Sequence, residues 1–273
     1  MLACPVCRLA LVADGRELGC AGGHRFDRAR EGYVNLLRPG RARKARSGDD
    51  DMMVRARRSF LAAGHFAGLQ AALAELVAGP GGVLDVGCGE GSFTAALTRE
   101  DREVVGVDIS RPAVRLAARL VPGATFAVAS VHDLPVLDGA CDWVVSVMAP
   151  VHEAEFVRVA RPGGRIVVVV PGADHLDGLR RLLYAQYRPH DEAVPLAGRL
   201  EVVDRRRVRA AAHLATAEEV RQLWSMTPYR WAAPVESAAR LADVGDGGLD
   251  VTVDFLATVF RVPPGANPTA GSA

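Results

Sequence analysis

Short, continuous apolar runs alternate along the chain with longer segments in which apolar residues recur every three or four positions. The runs are bounded by glycine and proline, as is typical of buried strands, and the longer segments have the period of amphipathic helices. Five runs are long enough for strands, at residues 83–87, 103–108, 125–129, 141–147 and 165–170, and two longer segments, 201–214 and 249–262, are expected to complete the sheet. Alternation of strands with helices predicts an α/β domain.

The helical segments lie before and between the predicted strands. The first begins at Asp51, next to acidic residues that favour a helix N-terminus, and continues to Leu76. We expect Gly64-His65-Phe66 to divide it into two helices. The sequence Arg161-Pro162-Gly163-Gly164 is predicted to turn into the fifth strand. Further helices are predicted at residues 92–97, 111–120, 153–160 and 216–224.

A segment without hydrophobic period separates the two ends of the chain. Residues 38–51, RPGRARKARSGDDD, carry five basic residues followed by three acids, which is typical of a mobile connector. Its charge fits equally a solvated loop and a loop that becomes ordered on phosphates. We therefore expect four parts, which are an N-terminal module (1–37), a basic linker (38–51), a larger domain (52–262) and a disordered tail (263–273).

The net charge of +1 is unevenly distributed. Residues 1–58 carry 13 Arg and Lys against 7 Asp and Glu, a formal charge of +6 that leaves −5 for the remainder. A basic N-terminal region suggests a polyanionic partner. The hydrophobic share of 49% is that of a soluble globular protein, and no apolar run approaches the length that spans a bilayer. We expect a cytoplasmic protein that does not bind membranes.

Three cysteines and one histidine in the first 24 residues have the spacing of a metal site. Cys4-x2-Cys7 followed by Cys20-x3-His24 fits one tetrahedral Zn²⁺ ion, and the alternative is buried thiols with a surface histidine. A disulfide framework is disfavoured because the count of five cysteines is odd and no secretory signal opens the chain. With four protein ligands the site is closed, so the zinc is expected to be structural.

A glycine turn follows the first predicted strand of the larger domain. Asp85 lies on that strand, and Gly87-Cys88-Gly89-Glu90-Gly91 connects it to a helix. Asp108 ends the next strand, where an acid accepts the ribose hydroxyls of a bound adenosine. NAD would fit the same ribose, but its fingerprint is G-x-G-x-x-G. The D-x-G-x-G-x-G form resembles the first motif of class I S-adenosylmethionine methyltransferases, and a turn used only for packing is the alternative.

Other polar residues follow the carboxyl ends of predicted strands, where such sheets bind ligands. Class I enzymes contact the adenine through the loop that holds Asp133, which either accepts from the exocyclic amine or caps the turn. His175 lies near the crevice by topology or is a surface histidine. Cys88 and Cys141 are interpreted as packing residues.

Taken together, the chain resembles bacterial 23S ribosomal RNA guanine-N1 methyltransferases, which include macrolide-resistance enzymes. The resemblance covers nearly the whole chain. Its motifs are Cys4, Cys7, Cys20 and His24, then 24–27 (HRFD), 31–37 (EGYVNLL), 53–58, 64–66 (GHF), 85–91 (DVGCGEG), 149–150 (AP) and 226–228 (MTP).

This resemblance implies a Rossmann-like, seven-stranded mixed sheet, S-adenosylmethionine as methyl donor, and a 23S rRNA hairpin near the peptide exit tunnel as partner. It also implies a homodimer, and it leaves open which of two neighbouring guanines is methylated. The cofactor-binding residues expected from the motif and the resemblance are Phe66, Asp85, Gly87, Gly89, Glu90, Gly91, Asp108, Asp133 and His175.

Methylation of guanine N1 requires removal of the proton that this nitrogen carries at neutral pH, so a base is expected near the fourth strand. His132, Asp133, His152 and His175 are candidates, which the sequence does not rank. Met148-Ala149-Pro150-Val151 stands where amino methyltransferases have a [DN]-P-P-[YF] box, and this favours a ring nitrogen over an exocyclic amine. The base must be unpaired or flipped to expose N1.

Two other functions use parts of the same pattern. A small-molecule methyltransferase shares the core but gives the zinc module no role. A non-catalytic RNA-binding protein would retain the fold and not bind S-adenosylmethionine.

Overall fold

The computed structural model describes residues 1–38, 49–186, 188–234, 236–245 and 247–265, and they form two sheets. Most of the predicted linker and the last eight residues of the predicted tail lie outside the described residues. Among the described residues, no helix combines the length and apolar character that crossing a membrane requires.

The N-terminal region contains a small antiparallel sheet of β1 (Val12–Asp14), β2 (Glu17–Gly19) and β3 (Arg25–Asp27). Gly15 begins the two-residue loop between β1 and β2 with a φ of +61°, the left-handed conformation that such hairpins need. β4 (Val34–Asn35) then leaves this sheet and pairs in parallel with an edge of the larger one.

The larger sheet has eight strands in the order β10-β11-β9-β8-β5-β6-β7-β4. From β9 to β4 the neighbours are parallel, and β11 pairs antiparallel with β9 and β10, so the predicted mixed sheet is confirmed. The seven predicted strands are all present, and β4 from the N-terminal region is an eighth. The strands after β4 are β5 (Gly81–Val86), β6 (Arg102–Asp108), β7 (Thr125–Val128), β8 (Cys141–Val147), β9 (Ala160–Pro171), β10 (Glu201–Leu214) and β11 (Leu249–Arg261).

Helices cover both faces of this sheet. Alternate residues of β5 belong to opposite hydrophobic clusters, Val83 with Leu69 and Leu223 on one face and Leu84 with Phe156 on the other. The helices are α1 (Asp51–Ala62), α2 (Ala67–Leu76), α3 (Ser92–Leu97), α4 (Arg111–Leu120), α5 (Glu153–Val159), α6 (Asp177–Leu183), α7 (Ala217–Ser225), α8 (Tyr229–Ala232) and α9 (Ser237–Ala242).

The predicted break in the first helical segment is confirmed. α1 starts behind Asp50, whose carboxylate accepts from the backbone N–H groups of Met52 and Met53. α1 and α2 are separated at Gly64, which has a φ of +85°. The short helices α6, α8 and α9, of seven, four and six residues, were not predicted.

The turn predicted at Arg161-Pro162-Gly163-Gly164 is wrong, because these residues lie within β9. Cys141 of β8 faces Ala160 and Trp143 faces Arg165, so the extra residues form an irregular bulge. The bulge still pairs with the chain just after β11, since the Gly163 N–H donates to the Val262 carbonyl and the Gly164 carbonyl accepts from the Val262 N–H.

The N-terminal region is docked on the larger domain. Besides the β4–β7 pairing, Arg111 Nε donates to the Tyr33 hydroxyl at 2.9 Å, and Arg119 pairs with Glu31 at 2.7 Å. Leu2 is buried in the same cluster as Leu134. The metal-ligand region therefore has a defined position against the sheet.

Candidate functional site

A cavity of about 670 Å³ lies at the carboxyl ends of the parallel strands. Its walls come from the loops after β5, β6, β7, β8 and β9, and from α1 and the segment before α8. This volume lies within the range of small-molecule and cofactor sites, about 300–1,000 Å³.

The glycine turn after β5 forms one wall of the cavity. A Cβ atom at Gly87 would lie 2.3 Å from the Ala149 Cβ, and one at Gly91 would lie 2.9 Å from the Ala117 Cα. Packing therefore requires both glycines. A Cβ at Gly89 would meet only the Arg57 guanidinium, at 3.8 Å. Gly89 lines the cavity and has a φ of +55°, so a glycine here leaves open space in the wall, as a turn that holds a ligand requires.

Asp108 ends β6 at this turn and lines the cavity. Its carboxylate accepts from the backbone N–H of Gly89 at 2.9 Å and of Ser110 at 2.7 Å. Burial raises the pKa of Asp108, and these hydrogen bonds act in the opposite direction. The carboxylate is held at the strand end, where a ribose would lie.

Two further acids of the motif are buried. Glu90 lines the cavity and accepts from the Ser92 N–H, and its second oxygen has no hydrogen-bond partner and lies 3.5 Å from the Arg58 guanidinium. Asp85 does not line the cavity. It accepts from the Thr94 hydroxyl at 2.6 Å, and burial raises the pKa of Asp85 to about 7.

The loop after β7 brings only one of its predicted residues to the cavity. His132 lines it, whereas Asp133 pairs with Arg8 at 3.0 Å and with Arg38 at 3.6 Å. The His152 ring packs edge-on against His132, with 5.0 Å between centroids, and does not line the cavity. Asp133 therefore contacts the metal-ligand region in this structure.

The opposite end of the cavity is formed by the loops after β8 and β9. Met148 adopts a φ of +52° and is exposed. His175 is buried, 5.8 Å from the Phe66 ring and 4.4 Å from the Phe255 ring, measured between centroids. Phe66 and His175, which are far apart in sequence, are thus brought together in one wall.

Several cavity residues carried no predicted role. Arg57 of α1 donates to the Met226 carbonyl at 3.0 Å and pairs with Asp49, whose backbone carbonyl accepts from Ser110. His190 and Tyr229 also line the cavity. Tyr229 directly follows the Met-Thr-Pro motif, and this position in the sequence could have identified it as a cavity residue. His190 lies in a segment without hydrophobic period, and nothing in the sequence indicates its position.

The predicted metal ligands converge on one point. Their ligand atoms, from Cys4, Cys7, Cys20 and His24, all lie within 4.8 Å of one another. The Cys7 and Cys20 sulfurs are 3.6 Å apart, and the Cys20 sulfur lies 3.5 Å from His24 Nδ1. A tetrahedral ion with Zn–S bonds of about 2.3 Å separates its sulfurs by about 3.8 Å, so these residues fit Zn²⁺.

Tight turns hold these ligands. Arg8 follows the first pair with a φ of +63°, and its N–H donates to the Cys4 carbonyl at 2.9 Å. A Cβ atom at Gly22 would lie 3.1 Å from the Cys7 sulfur. The donor set is closed and contains no catalytic group, and this indicates a structural zinc site.

Two protein-family profiles match the chain. The family described as "RlmA, N-terminal" matches residues 2–46, which include the four metal ligands. The family described as "Methyltransferase domain" matches residues 83–164, which include the glycine turn and Asp108.

Full-length relatives agree with these matches. A 23S rRNA (guanine(748)-N(1))-methyltransferase from Streptomyces fradiae is 39% identical over 277 residues, covering 96% of this chain and 97% of that protein. A Bacillus subtilis protein provisionally described as a 23S rRNA (guanine-N(1)-)-methyltransferase is 30% identical, covering 94% and 96%. Among solved structures, a provisionally assigned type II methyltransferase from Anaeromyxobacter dehalogenans matches with a TM-score of 0.53 at 22% identity, covering 72% of this chain and 96% of that one, which supports the fold.

Proposed function

The chain belongs to the family of 23S rRNA guanine-N1 methyltransferases, and from this premise we propose that it transfers a methyl group from S-adenosylmethionine to N1 of a guanine in 23S rRNA. The observation that carries the proposal is the union of two sites in one chain. A zinc-ribbon module is docked beside a cavity that has the glycine turn and strand-end acid of a class I methyltransferase.

Different residues of the cavity would bind different parts of S-adenosylmethionine. Asp108 accepts hydrogen bonds from the ribose hydroxyls, and Gly89 leaves room for the backbone to approach the ligand. Glu90 lines the cavity, and its carboxylate, which also lies 3.5 Å from the Arg58 guanidinium, would accept from the ammonium group of the methionine portion. Phe66 and His175 close the wall on the other side. Asp85 and Gly91, which were predicted to bind the cofactor, are assigned instead to shaping the turn, since Asp85 accepts from the Thr94 hydroxyl and Gly91 packs against Ala117.

Methyl transfer from a sulfonium is an in-line displacement, so the protein contributes mainly by positioning the two reactants. The methyl group arrives activated on the cofactor. The walls of the cavity exclude water and direct the acceptor nitrogen along one approach. Ala149 and Pro150 line the acceptor side without offering a hydrogen-bonding side chain, which suits a ring nitrogen better than an exocyclic amine.

An RNA substrate explains features that a small acceptor does not. The N-terminal 58 residues carry a formal charge of +6, which suits a phosphate backbone. Trp231, two residues beyond the cavity-lining Tyr229, is 68% exposed, and the Arg230 guanidinium lies 4.5 Å from its ring centroid. An exposed aromatic ring beside a cation is a platform for an unpaired base.

We also propose the finer assignments that the resemblance implies. The target lies in a hairpin near the peptide exit tunnel, its methylation contributes to macrolide resistance, and the protein acts in the cytoplasm. A homodimer is supported by the outer side of β10, which has no neighbouring strand among the described residues. We place the end of the zinc-binding module near residue 37, because the basic linker sequence begins at the next residue.

The proposal is tested by incubating the protein with 23S rRNA, S-adenosylmethionine and zinc, then mapping methylated nucleotides by mass spectrometry. We expect one N1-methylguanine in the exit-tunnel hairpin, and Asp108→Asn as a control should form far less. Unmodified RNA together with turnover of a small acceptor would favour a small-molecule methyltransferase. Absence of cofactor binding in calorimetry would instead leave a non-catalytic RNA-binding protein.

A further inference from the structure

The cavity has two chemically different ends, which the sheet order defines. The parallel strands lie in the order β9, β8, β5, β6, β7. Asp108, at the end of β6, and the Ser130–His132 loop, after β7, lie toward the β7 side. Met148, Pro171 and His175 follow β8 and β9 on the other side. Because Asp108 fixes the ribose, the β7 side receives the adenosine and the β8–β9 side receives the methyl acceptor.

His190 and Tyr229 form a hydrogen-bonded pair at the acceptor end. The Tyr229 hydroxyl lies 2.9 Å from His190 Nε2, and both residues line the cavity. Their rings are nearly parallel, with an interplanar angle of 23°. Backbone hydrogen bonds hold both residues, since the His190 N–H donates to the Ala173 carbonyl at 3.0 Å and the Tyr229 carbonyl accepts from the Ala233 N–H at 2.8 Å.

Three residues that the sequence offered as candidate bases are placed or bonded in ways that do not suit this role. His132 lies at the adenosine end, and Asp133 pairs with two arginines. His175 Nδ1 accepts from the backbone N–H of Asp254 at 3.3 Å, so its ring proton resides on Nε2 and this nitrogen can only donate. Burial, followed by the nearby His190, lowers the pKa of His175 to about 3.

We propose that Tyr229 and His190 remove the N1 proton of the target guanine, an inference that rests on the proposed function. The proton on N1 passes to the Tyr229 oxygen while the Tyr229 hydroxyl proton passes to His190 Nε2. The N1 electron pair forms the new bond to the methyl carbon. The carbon–sulfur bond breaks, and its electron pair stays on the sulfur and neutralises the sulfonium. His190 leaves the step as an imidazolium and returns its proton to water.

The surroundings of His190 favour the neutral form that this step needs. Burial lowers the pKa of His190, and the positive charge of Arg180 on α6 acts in the same direction. Among the described residues, the ionisable groups recorded beside the pair are Arg180, His175, whose ring centroid is 6.3 Å from that of His190, and Tyr184, whose ring packs edge-on against Tyr229. None of these is an acid that would hold a proton on His190.

The test is single-turnover methylation of the 23S rRNA hairpin, with saturating protein and cofactor, across about pH 6 to about pH 9. Tyr229→Phe removes the accepting oxygen, and His190→Gln keeps a hydrogen-bond acceptor but cannot take the proton. Near neutral pH we expect each variant to lose at least about 100-fold in transfer rate, the lower range of general base catalysis. Both deficits should narrow as pH rises, because guanine N1 then loses its proton without help.

Two controls separate chemistry from folding and binding. Tyr184→Phe removes a hydroxyl from the neighbouring ring and should keep the transfer rate within about threefold, a change of less than about 1 kcal/mol. Both pair variants should bind S-adenosylmethionine with unchanged affinity in calorimetry, whereas His132→Gln should act on cofactor affinity.

The outcomes distinguish the inference from its premise. Pair variants that transfer at the wild-type rate, or a deficit that is the same at every pH, would overturn the role of the pair while the wild-type methylation stands. Absence of guanine methylation by the wild-type protein would overturn the proposed function and this inference with it.

Discussion

The Gly89 N–H donates a hydrogen bond of 2.9 Å to the Asp108 carboxylate, which joins the glycine turn after β5 to the end of β6. The Ser110 N–H binds the other carboxylate oxygen. The acid is therefore oriented by backbone groups on both sides before any ligand arrives. A preorganised carboxylate binds a diol with little loss of conformational freedom.

Asp108→Asn tests this arrangement. The amide keeps the shape of the side chain but removes the charge that strengthens hydrogen bonds to a ribose. We expect the free energy of S-adenosylmethionine binding to weaken by about 1.5–3 kcal/mol, the scale of hydrogen bonds to charged groups. Isothermal calorimetry measures the effect, with Asp101→Asn, an exposed acid before β6, as matched control. Equal affinities of the two variants would contradict the ribose role.

Asp85 makes the unfolding free energy of the ligand-free protein depend on pH. Burial raises its pKa from 3.8 to about 7, so in this interval the folded state holds a proton that the unfolded state has released. The stabilising contribution is therefore complete below about pH 4 and is lost as pH rises toward about 7. We expect Asp85→Asn to remove this loss, so the unfolding free energies of variant and wild type should diverge by on the order of 4 kcal/mol across the interval. Parallel denaturation curves would show that Asp85 ionises freely.

Loss of one metal ligand should unfold the zinc module locally. Cys20→Ser removes a thiolate from a site whose metal supplies much of the stability of a small domain. We expect bound zinc to fall from one equivalent to none, and protease cleavage to appear within the first 37 residues.

Cys141→Ala is the matched control, because Cys141 is a buried free cysteine outside the metal cluster and should leave zinc content unchanged. Cofactor affinity of Cys20→Ser should stay within about threefold of the wild type. Collapse of cofactor binding together with zinc would mean that the N-terminal region and the larger domain do not fold as separate units.

Asp133 connects the module to the domain, and its role can be separated from cofactor binding. A double-mutant cycle of Arg8→Met and Asp133→Asn should give a coupling free energy of about 0.5–1 kcal/mol, as partly exposed ion pairs do. Asp133→Asn should change the Kd for S-adenosylmethionine by less than about twofold. A large loss of affinity would instead place Asp133 on the adenine, as the sequence pattern suggested.

The sequence predicted the core of the fold because its signals are local. Each buried strand is a continuous apolar run, the glycine turn follows β5 directly, and the metal ligands lie in two short pairs. Such patterns need no knowledge of distant contacts.

Features that depend on long-range contacts could not be predicted in this way. β4 is two residues long and is a strand only because β7 offers it an edge. His190 reaches the cavity through a hydrogen bond to Tyr229, which is 39 positions away. Asp133 likewise pairs with Arg8, which lies near the N-terminus, so the motif position alone did not determine where the Asp133 side chain would point.

A buried carboxylate supports the wall of the cavity on the β8–β9 side. Asp254 is fully buried, and both of its oxygens accept from the Arg207 guanidinium, at 2.8 and 2.6 Å. Its backbone N–H holds His175. Burial alone would raise the pKa of Asp254, but the hydrogen bonds and charge of Arg207 outweigh it and lower the pKa. The carboxylate is therefore ionised at neutral pH and depends on Arg207.

Arg207→Met should destabilise the protein because it leaves this buried charge without its main partner. Unpaired buried charges cost about 3–5 kcal/mol, and since Arg207 is partly exposed, water would reduce the loss to about 1–3 kcal/mol. Arg206→Met, one position along β10, breaks only the surface ion pair with Glu75 and should cost less than about 0.5 kcal/mol. The lowered pKa means that Arg207 stabilises the fold above the unfolded pKa of Asp254, so the difference between the variants should shrink as pH falls through the folded value. Urea denaturation at several pH values measures it, and equal costs for the two variants would show that Asp254 is not supported by Arg207.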